Sequence, residues 1–390
     1  MLGVDNRGRL KVVFAFGRAT VRSRIQRVVA VVLLGIVIDG CGGQLAQMSP
    51  TQTYASTEQN YLRGLEKGNE FSGAVAVAVG GRVILQSSVG YADWKTKTLI
   101  RPDTPFRIGS ITKVFTATAV MLLVQDGKLR LDDEACSYVA DCPRAWSDVT
   151  VRNLLTHTSG IPDYLAPITL SQFNAPTPPR ALLALVADKP LNFPPGSGYG
   201  YSNTNYVLLG LIIESLSGLS YDAYLQQRIF GPLGMRGSGY ERDFSRVPNA
   251  ATGYGYKTLS RTEAIPTDEA AFSDGGLHST IDDLLKFDRA LTDHRLLTAA
   301  LEDQMFTPWG GAADFPNDAH IGLGWLIKRD QFGATVVYHG GQIPGFNAAF
   351  ERDLGSHVTA VVLSNFYWAD SGQIASVLVN AAPKSVYGPS

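Results

Sequence analysis

The chain has little cysteine and lacks the short patterns that mark common metal centres. Its 390 residues include three cysteines, Cys41, Cys136 and Cys142. No histidine or further cysteine stands at ligand spacing from Cys136 and Cys142, and no His-x-His-x-Asp run occurs, which disfavours zinc. In an oxidising compartment these two cysteines, six positions apart, are expected to form a disulfide, with metal binding as the weaker alternative. The sequence predicts no metal ion and no other cofactor.

An excess of one charge sign is also absent. The 34 basic and 35 acidic residues give a formal net charge of −1, and seven of the basic residues fall within the first 40 positions. The rest of the chain is therefore mildly acidic, and it has no basic stripe of the kind that follows a phosphate backbone. Nucleic acid is thus not an expected partner. The hydrophobic share of 45% is enough for a substantial core.

The apolar run at the N-terminus is too short to span a bilayer as a helix. Val28 to Ile38 contains eleven residues and follows several arginines, a pattern typical of a signal peptide. Ile38-Asp39-Gly40-Cys41 resembles a bacterial lipobox, in which the cysteine is lipidated, although Asp39 departs from the usual small or apolar residue. We expect residues 1–40 to be a signal peptide or anchor and 41–60 a linker. The predicted location is the cell envelope, with a lipidated Cys41, or the exterior after plain cleavage.

Strand-like runs occur at both ends of the remaining chain, and helical patterns lie between them. Gly80-Gly81 joins two such runs, 74–79 and 82–87, and predicts a hairpin. This arrangement indicates an α+β fold, with one sheet built from N- and C-terminal segments and a largely helical insertion. The predicted domain spans 61–385, with an α/β lobe at 61–109 and 308–385 and a helical lobe at 110–307. Predicted helices are 110–125, 151–155, 180–187, 203–217, 221–229, 281–291 and 374–379, and later strands are 321–328, 334–338, 347–351 and 358–363. Ser279 with Asp282 predicts the cap of the 281–291 helix.

Ser110 and Lys113 are the first candidate catalytic pair. Residues three apart share a face of a helix, so the lysine amine is within reach of the serine hydroxyl. A serine hydroxyl needs an adjacent base to become a nucleophile, and Lys113 can be that base if burial lowers its pKa. For a bare Ser-x-x-Lys, the commoner interpretation is a helix-capping serine followed by a solvated lysine. The pair therefore needs partners elsewhere in the chain.

Two further motifs supply candidate partners. Tyr201-Ser202-Asn203 immediately precedes an apolar helix, which places Tyr201 on a loop; a turn that caps this helix is the alternative. His339-Gly340-Gly341 follows a strand-like run, and its glycines would let a substrate lie close to that strand. His320-Ile321-Gly322 has the same His-x-Gly letters, so that pattern alone is not specific. No Gly-x-Ser-x-Gly occurs, which disfavours the α/β-hydrolase route to the same chemistry.

Together these motifs resemble the penicillin-recognising serine hydrolases. The resemblance is to the branch that contains class C β-lactamases, D-alanyl-D-alanine carboxypeptidases, D-aminopeptidases and β-lactamase-like esterases. It implies a β-lactamase/transpeptidase-like fold with an antiparallel sheet flanked by helices. The matching stretches run from about Phe71 to Phe366 and include 106–113, Val151-Arg152-Asn153-Leu154-Leu155-Thr156-His157-Thr158-Ser159-Gly160, 201–203, Pro232-Leu233-Gly234-Met235, Gly275-Gly276-Leu277 and 339–346.

The resemblance implies a role for each motif residue. Ser110 would form an acyl-enzyme, with Lys113 and Tyr201 sharing proton transfer. Asn203 would hydrogen-bond Lys113 and the substrate amide, and His339, Gly340 and Gly341 would line the substrate-binding strand. The backbone N–H groups of Ser110 and Gln342 would form the oxyanion hole. His157 is expected to be a packed structural histidine, and Asp274 and His278 loop and capping groups.

His339 is the departure from the family pattern that bears on the substrate. Classical β-lactamases and carboxypeptidases have lysine there, whereas a histidine is mostly neutral at pH 7. The sequence therefore predicts an exported serine hydrolase of small esters or D-amino-acid amides and peptides. The alternatives are a β-lactamase or D-Ala-D-Ala carboxypeptidase, and a non-catalytic envelope lipoprotein that binds peptidoglycan peptides. A small-molecule substrate is the expected partner, and no protein partner is implied.

Overall fold

The structure is a computed structural model that describes residues 2–4, 10–12, 48–173, 175–258, 261–264, 271–309 and 319–383. The predicted lipidation site Cys41 and most of the predicted signal segment lie outside these residues. Leu2–Val4 and Leu10–Val12 form a short antiparallel ladder. Within the described ranges, the structure has no helix with the length and apolar character needed to cross a membrane.

The longer strands lie near the two ends of the domain, and most helices lie between them. The strands are β1 (Leu2–Val4), β2 (Leu10–Val12), β3 (Gly73–Val79), β4 (Arg82–Val89), β5 (Tyr91–Asp93), β6 (Thr98–Leu99), β7 (Phe106–Arg107), β8 (Gly239–Tyr240), β9 (Tyr254–Thr258), β10 (Arg261–Ala264), β11 (Leu277–Ser279), β12 (His320–Ile321), β13 (Leu326–Arg329), β14 (Thr335–Ile343), β15 (Phe346–Asp353) and β16 (Val358–Ser364). The helices are α1 (Pro50–Lys67), α2 (Thr112–Gln125), α3 (Val151–Leu155), α4 (Leu170–Phe173), α5 (Pro179–Ala184), α6 (Asn203–Ser217), α7 (Tyr221–Leu225), α8 (Gly231–Leu233), α9 (Ile281–Thr292), α10 (Ala299–Met305) and α11 (Ser371–Ala381).

Seven strands form the main sheet in the order β12-β13-β14-β15-β16-β3-β4. Each neighbouring pair is antiparallel, and β16 pairs with β3 along its whole length, from Val358 opposite Val79 to Ser364 opposite Gly73. The prediction of an α+β fold with one sheet built from both ends of the chain is confirmed. Both faces of β3 are buried, because successive side chains enter two separate hydrophobic clusters.

Helix α2 carries the candidate lysine and runs through the core. Twelve consecutive residues, Thr112 to Leu123, are buried, so this helix has no solvated face over that span. Its buried threonine hydroxyls are hydrogen-bonded: Thr118 donates to the carbonyl oxygen of Val114 at 2.8 Å, and Thr112 accepts from the Leu277 N–H at 3.1 Å. The sequence predicted a helix over 110–125, and the structure encloses it on all sides from Thr112 to Leu123. The lysine is thereby placed in the interior.

Helix α1 begins inside the segment that the sequence predicted as a linker. Ser49 caps it in a reciprocal pair, accepting from the Gln52 N–H at 3.3 Å while the Gln52 side chain accepts from the Ser49 N–H at 2.9 Å. The buried Tyr54 donates to the carbonyl oxygen of Leu378 in α11 at 3.0 Å. The folded domain thus starts near Ser49. Ser49 and Gln52 fit a local capping pattern, whereas the contact of Tyr54 with the far end of the chain has no local signal.

The start of α9 differs by one residue from the prediction. Thr280 is the cap, and its hydroxyl accepts from the Asp283 N–H at 3.1 Å. Ser279 ends β11, and its hydroxyl pairs with that of Ser238 at 2.8 Å. The predicted cap by Ser279 with Asp282 is therefore wrong. Both positions fit the capping pattern, and the pairing of β11 decides between them.

The strand predicted over 321–328 is a hairpin rather than one strand. β12 and β13 are joined by a tight turn in which the Gly322 N–H donates to the carbonyl oxygen of Trp325 at 2.7 Å. Gly324 in this turn has φ +81°, a conformation that glycine adopts without strain. Gly322 and Gly324 are signals of a turn, but the apolar residues around them are also typical of one continuous buried strand.

The last half of β14 lies against the turn that carries Ser110. β13 pairs with β14 only as far as Tyr338. Beyond it, a Cβ added at Gly341 would overlap the carbonyl oxygen of Ile108, whereas at Gly340 the nearest heavy atom, Ala348 O, would be 3.8 Å away. The expectation that both glycines open the strand to substrate is corrected for Gly341. Its missing side chain lets the serine turn approach the sheet.

We expect Gly341→Ala to lower the free energy of unfolding by about 2 kcal/mol or more, because the added methyl group must displace a buried backbone. Gly340→Ala is the matched control, and its effect should stay within about 0.5 kcal/mol, because this position is exposed and open. Urea unfolding of both variants measures the difference. Equal destabilisation by the two substitutions would show that the close approach at Gly341 is not a constraint.

Candidate active site

Ser110 and Lys113 meet at the start of α2. Ser110 lies in a single 3-10 turn, Gly109–Ile111, and the α-helix proper begins at Thr112. Gly109 has φ +50°, which a side chain would disfavour, and this conformation leads the chain from β7 into the turn. The Lys113 Nζ donates to the Ser110 Oγ at 3.1 Å. The structure thus brings the two residues together as the spacing predicted.

Lys113 is fully buried, and its amine is surrounded by acceptors. Besides Ser110, the Nζ donates to the Asn203 Oδ1 at 2.8 Å and to the backbone carbonyl oxygen of Asp274 at 2.6 Å. These three acceptors match the three N–H groups of an ammonium. The amine also lies over the ring of Tyr201 at 4.9 Å from its centroid. The lysine is held from four sides.

Burial is the main influence on the charge of this lysine. It lowers the pKa of Lys113 from 10.5 to about 8, and the negative charges of Asp274 and Asp163 oppose that shift. A substantial fraction of the amine is therefore neutral just above neutral pH. A neutral amine 3.1 Å from the Ser110 Oγ can accept the hydroxyl proton.

Tyr201 contacts the same oxygen from the other side. Its hydroxyl donates to the Ser110 Oγ at 2.9 Å. Burial raises the pKa of Tyr201 far above its ordinary value, so the side chain stays a phenol in the resting state. At this oxygen, the Tyr201 hydroxyl can therefore donate a proton, and the neutral form of Lys113 can accept one. Both groups are needed, because one accepts the serine proton and the other donates a proton.

His157 packs against Tyr201 in the interior. The two rings stack with centroids 4.3 Å apart, and the His157 Nδ1 accepts from the Ser202 N–H at 3.2 Å. Burial, followed by the charge of Lys113, holds the pKa of His157 well below its ordinary value. The imidazole is neutral and packed, in agreement with the expected structural role.

Asp163 is a site residue that sequence reasoning missed. Its carboxylate accepts from the Asn203 N–H at 3.3 Å and from the Asn203 Nδ2 at 3.0 Å. Since both amide hydrogens of a side chain are on Nδ2, this contact turns the Asn203 Oδ1 toward Lys113. Burial raises the pKa of Asp163 to about 6. The available signal was its position just after the 151–160 motif, but no spacing rule links it to Lys113.

Asp274 fits the expectation of a loop-capping group, whereas His278 does not. Asp274 does cap its own loop, accepting from the Phe272 N–H at 2.9 Å, but it is buried, and its carboxylate also accepts from the Tyr164 hydroxyl at 2.8 Å. Its backbone oxygen holds Lys113. His278 is a buried residue of β11 opposite Arg107, not a loop group, and burial together with Arg107 lowers its pKa to about 3.

His339 and Gln342 lie on the half of β14 that faces the serine turn. His339 is buried, and its Nδ1 lies 2.7 Å from the carbonyl oxygen of Gly340. Burial, then the charge of Lys113, lowers the pKa of His339 to about 4, so the imidazole is neutral at pH 7. A Cβ on Gly109 would lie 2.8 Å from the Gln342 nitrogen, which places that nitrogen beside the turn. The oxyanion-hole role of Ser110 and Gln342 stays a prediction.

The cysteine pair lies in a separate part of the fold. Cys136 and Cys142 are joined by a disulfide, with a Cα–Cα separation of 5.4 Å. In the described ranges, no cluster of three or more histidine, cysteine, aspartate or glutamate side chains is arranged to hold a metal ion. The reactive groups that the contacts described above bring together are a serine hydroxyl, a buried amine and a phenol.

Comparison with known proteins agrees with this geometry. A family model described as Beta-lactamase matches residues 58–375. Penicillin-binding protein 4* of Bacillus subtilis is 31% identical over 330 residues, covering 79% of this chain and 71% of the relative. The structure of a D-amino acid amidase from Ochrobactrum anthropi aligns with TM-score 0.74 and 28% identity, covering 84% of this chain and 98% of the other. A penicillin binding protein from Bacillus halodurans aligns with TM-score 0.73 and 28% identity, covering 82% and 98%.

We expect Asp163→Asn to slow fluorophosphonate labelling of Ser110 about 10- to 100-fold at the plateau of its pH profile. In this variant, the new side-chain NH2 would face the Asn203 Nδ2, and both groups are donors. This clash favours a flip of the Asn203 amide, after which its Oδ1 no longer accepts from Lys113. Loss of the negative charge also lowers the pKa of Lys113. The midpoint of the rise in labelling rate with pH should therefore move below about 8.

Asp274→Asn is the matched control, because it removes a negative charge near Lys113 without changing the contact that orients Asn203. It removes the other carboxylate that acts on Lys113 but leaves the Asp163 contact with Asn203 in place. The Tyr164 hydroxyl can turn to accept from the new amide. In this variant, the midpoint of the pH profile should shift to lower pH, while the labelling rate at the plateau stays close to that of wild type. An Asp163→Asn profile that matches wild type would rule out the positioning role.

Proposed function

Because the chain belongs to the β-lactamase family and is a serine hydrolase of it, we propose that it cleaves small esters or D-amino-acid amides and peptides through an acyl-enzyme on Ser110. The observation that carries the proposal is the 3.1 Å contact between the buried Lys113 Nζ and the Ser110 Oγ. A solvated lysine has almost no neutral amine at pH 7, whereas burial lowers the pKa of this one to about 8 and leaves a minor fraction neutral at pH 7 that grows as pH rises.

In the proposed mechanism, Lys113 in its amine form takes the hydroxyl proton as the Ser110 Oγ bonds to the acyl carbon. The negative charge that forms on the carbonyl oxygen is stabilised by the backbone N–H groups of Ser110 and Gln342. As the intermediate collapses, Tyr201 gives its proton to the leaving group, and the Lys113 ammonium passes the proton that it took from Ser110 to the Tyr201 oxygen. Water then attacks the acyl-enzyme, and the same groups carry the proton in reverse.

The preference for esters and amides follows from His339. A lysine at this position would supply a fixed positive charge, but His339 is neutral at pH 7 because burial lowers its pKa to about 4. Similarity to the D-amino acid amidase supports amides as substrates. Similarity to Penicillin-binding protein 4* favours a second candidate, β-lactam or D-Ala-D-Ala hydrolysis. A non-catalytic binding role has less support, since such a protein needs no base beside its serine.

Export is the remaining part of the proposal. The arginines and the apolar run before Cys41 support a cleaved signal, and the disulfide between Cys136 and Cys142 fits an oxidising compartment. Attachment to the membrane then rests on lipidation of Cys41. The mass of the mature N-terminus distinguishes a diacylglyceryl cysteine from a plain cleavage product or a retained anchor.

The proposed nucleophile is tested by intact-mass analysis after exposure to a fluorophosphonate. We expect one adduct on wild-type protein and none on Ser110→Ala, because only an activated serine reacts. Folded Ser110→Ala, checked by circular dichroism, is the control for reactivity at other sites. Folded wild-type protein that takes up no adduct would contradict the proposal.

A substrate panel separates the two candidate activities. Nitrocefin, a p-nitrophenyl ester, a D-amino-acid amide and a D-Ala-D-Ala peptide are compared by kcat/KM. Turnover of the ester and amide without the β-lactam and the free D-Ala-D-Ala peptide would support the first candidate.

A further inference from the structure

The hydrogen bond of His339 fixes which ring nitrogen carries the proton. Its Nδ1 lies 2.7 Å from the carbonyl oxygen of Gly340. A carbonyl oxygen can only accept, so the Nδ1 must be the donor. The imidazole is buried beside the positively charged Lys113, which disfavours a second proton. The Nε2 therefore presents a lone pair and acts as an acceptor.

The Nε2 is directed to the active-site side of β14. His339 and Gly341 are two residues apart and share a strand face, and Gly341 lies against the Ser110 turn. Within the described residues, the side-chain hydrogen bond of His339 is made at Nδ1, and 5% of the residue is exposed to solvent. An acceptor without a partner among the described residues is thus present on the strand that lies against the serine turn.

A substrate group that lies along β14 would meet this acceptor and no free donor from Lys113. The three N–H groups of Lys113 are already donated to Ser110, Asn203 and Asp274. A carboxylate there would place its oxygens against the Nε2 lone pair and lose its hydration without compensation. A carboxamide, by contrast, would donate an N–H to it.

We propose that His339 is a specificity-determining residue that accepts a hydrogen bond at Nε2 and so selects substrates with an uncharged donor, such as a carboxamide, over those with a free carboxylate. This inference rests on the proposed function of Ser110. It narrows that function to acyl donors whose leaving group ends in an amide or another neutral donor. Substrates with a free C-terminal carboxylate are disfavoured.

A matched pair of depsipeptides tests the proposal. N-acetyl-D-alanyl-D-lactate and its lactamide share the scissile ester and differ only in the terminal carboxylate or carboxamide. Wild-type protein should cleave the lactamide with kcat/KM at least about tenfold higher. His339→Lys should reverse the preference, because it supplies a cation and removes the acceptor. His339→Gln, which can donate or accept, should reduce the preference.

The ratio of the two rates is internal to each variant, so a partly unfolded preparation does not distort it. Equal turnover of both esters by wild type, or faster cleavage of the carboxylate, would overturn the inference while leaving the serine hydrolase mechanism intact. An unchanged ratio in His339→Lys would overturn it as well.

Binding to Ser110→Ala protein separates the inference from the proposed chemistry. Calorimetric titration of the same pair should again favour the lactamide about tenfold. That preference without turnover by wild type would support the role of His339 and contradict the hydrolysis proposed for Ser110. Equal or carboxylate-favouring affinity would count against His339 whatever the turnover.

Discussion

The burial of the Lys113 amine is the constraint on which the rest of the site depends. A buried cation is costly unless it is hydrogen-bonded, and here three acceptors come from three separate segments: the turn with Ser110, the start of α6 with Asn203, and the loop with Asp274. The amine thus joins parts of the chain that are far apart in sequence. The same burial moves its pKa toward neutrality.

The neighbouring groups follow from that constraint. Asp163 orients Asn203 so that an oxygen, not an NH2, faces the amine, and the rings of Tyr201 and Tyr206 lie beside it. A second cation close by would be repelled. His339 meets this condition as a neutral imidazole, and the charge of Lys113 helps to lower its pKa. The buried lysine therefore determines the orientation and the charge of the groups around it.

The sequence predicted those features that local spacing determines. The i, i+3 relation of Ser110 and Lys113, the position of Tyr201 and Asn203 before an apolar helix, and the two-ended sheet all have such signals. Long-range packing determines the rest. Asp163, the backbone oxygen of Asp274 and the contact of Gly341 with Ile108 arise from segments that meet only in the folded chain. The choice of Thr280 over Ser279 as a cap depends on strand pairing in the same way.

The most direct test is an NMR titration of the protein with isotope-labelled lysine side chains, in which Lys113→Arg identifies the resonance of Lys113. We predict that this amine titrates near pH 8 in the folded protein and that fluorophosphonate labelling of Ser110 rises with the same midpoint. A Lys113 amine that titrates near 10.5, as an exposed lysine does, would contradict the account of Ser110 as a nucleophile activated by a buried base.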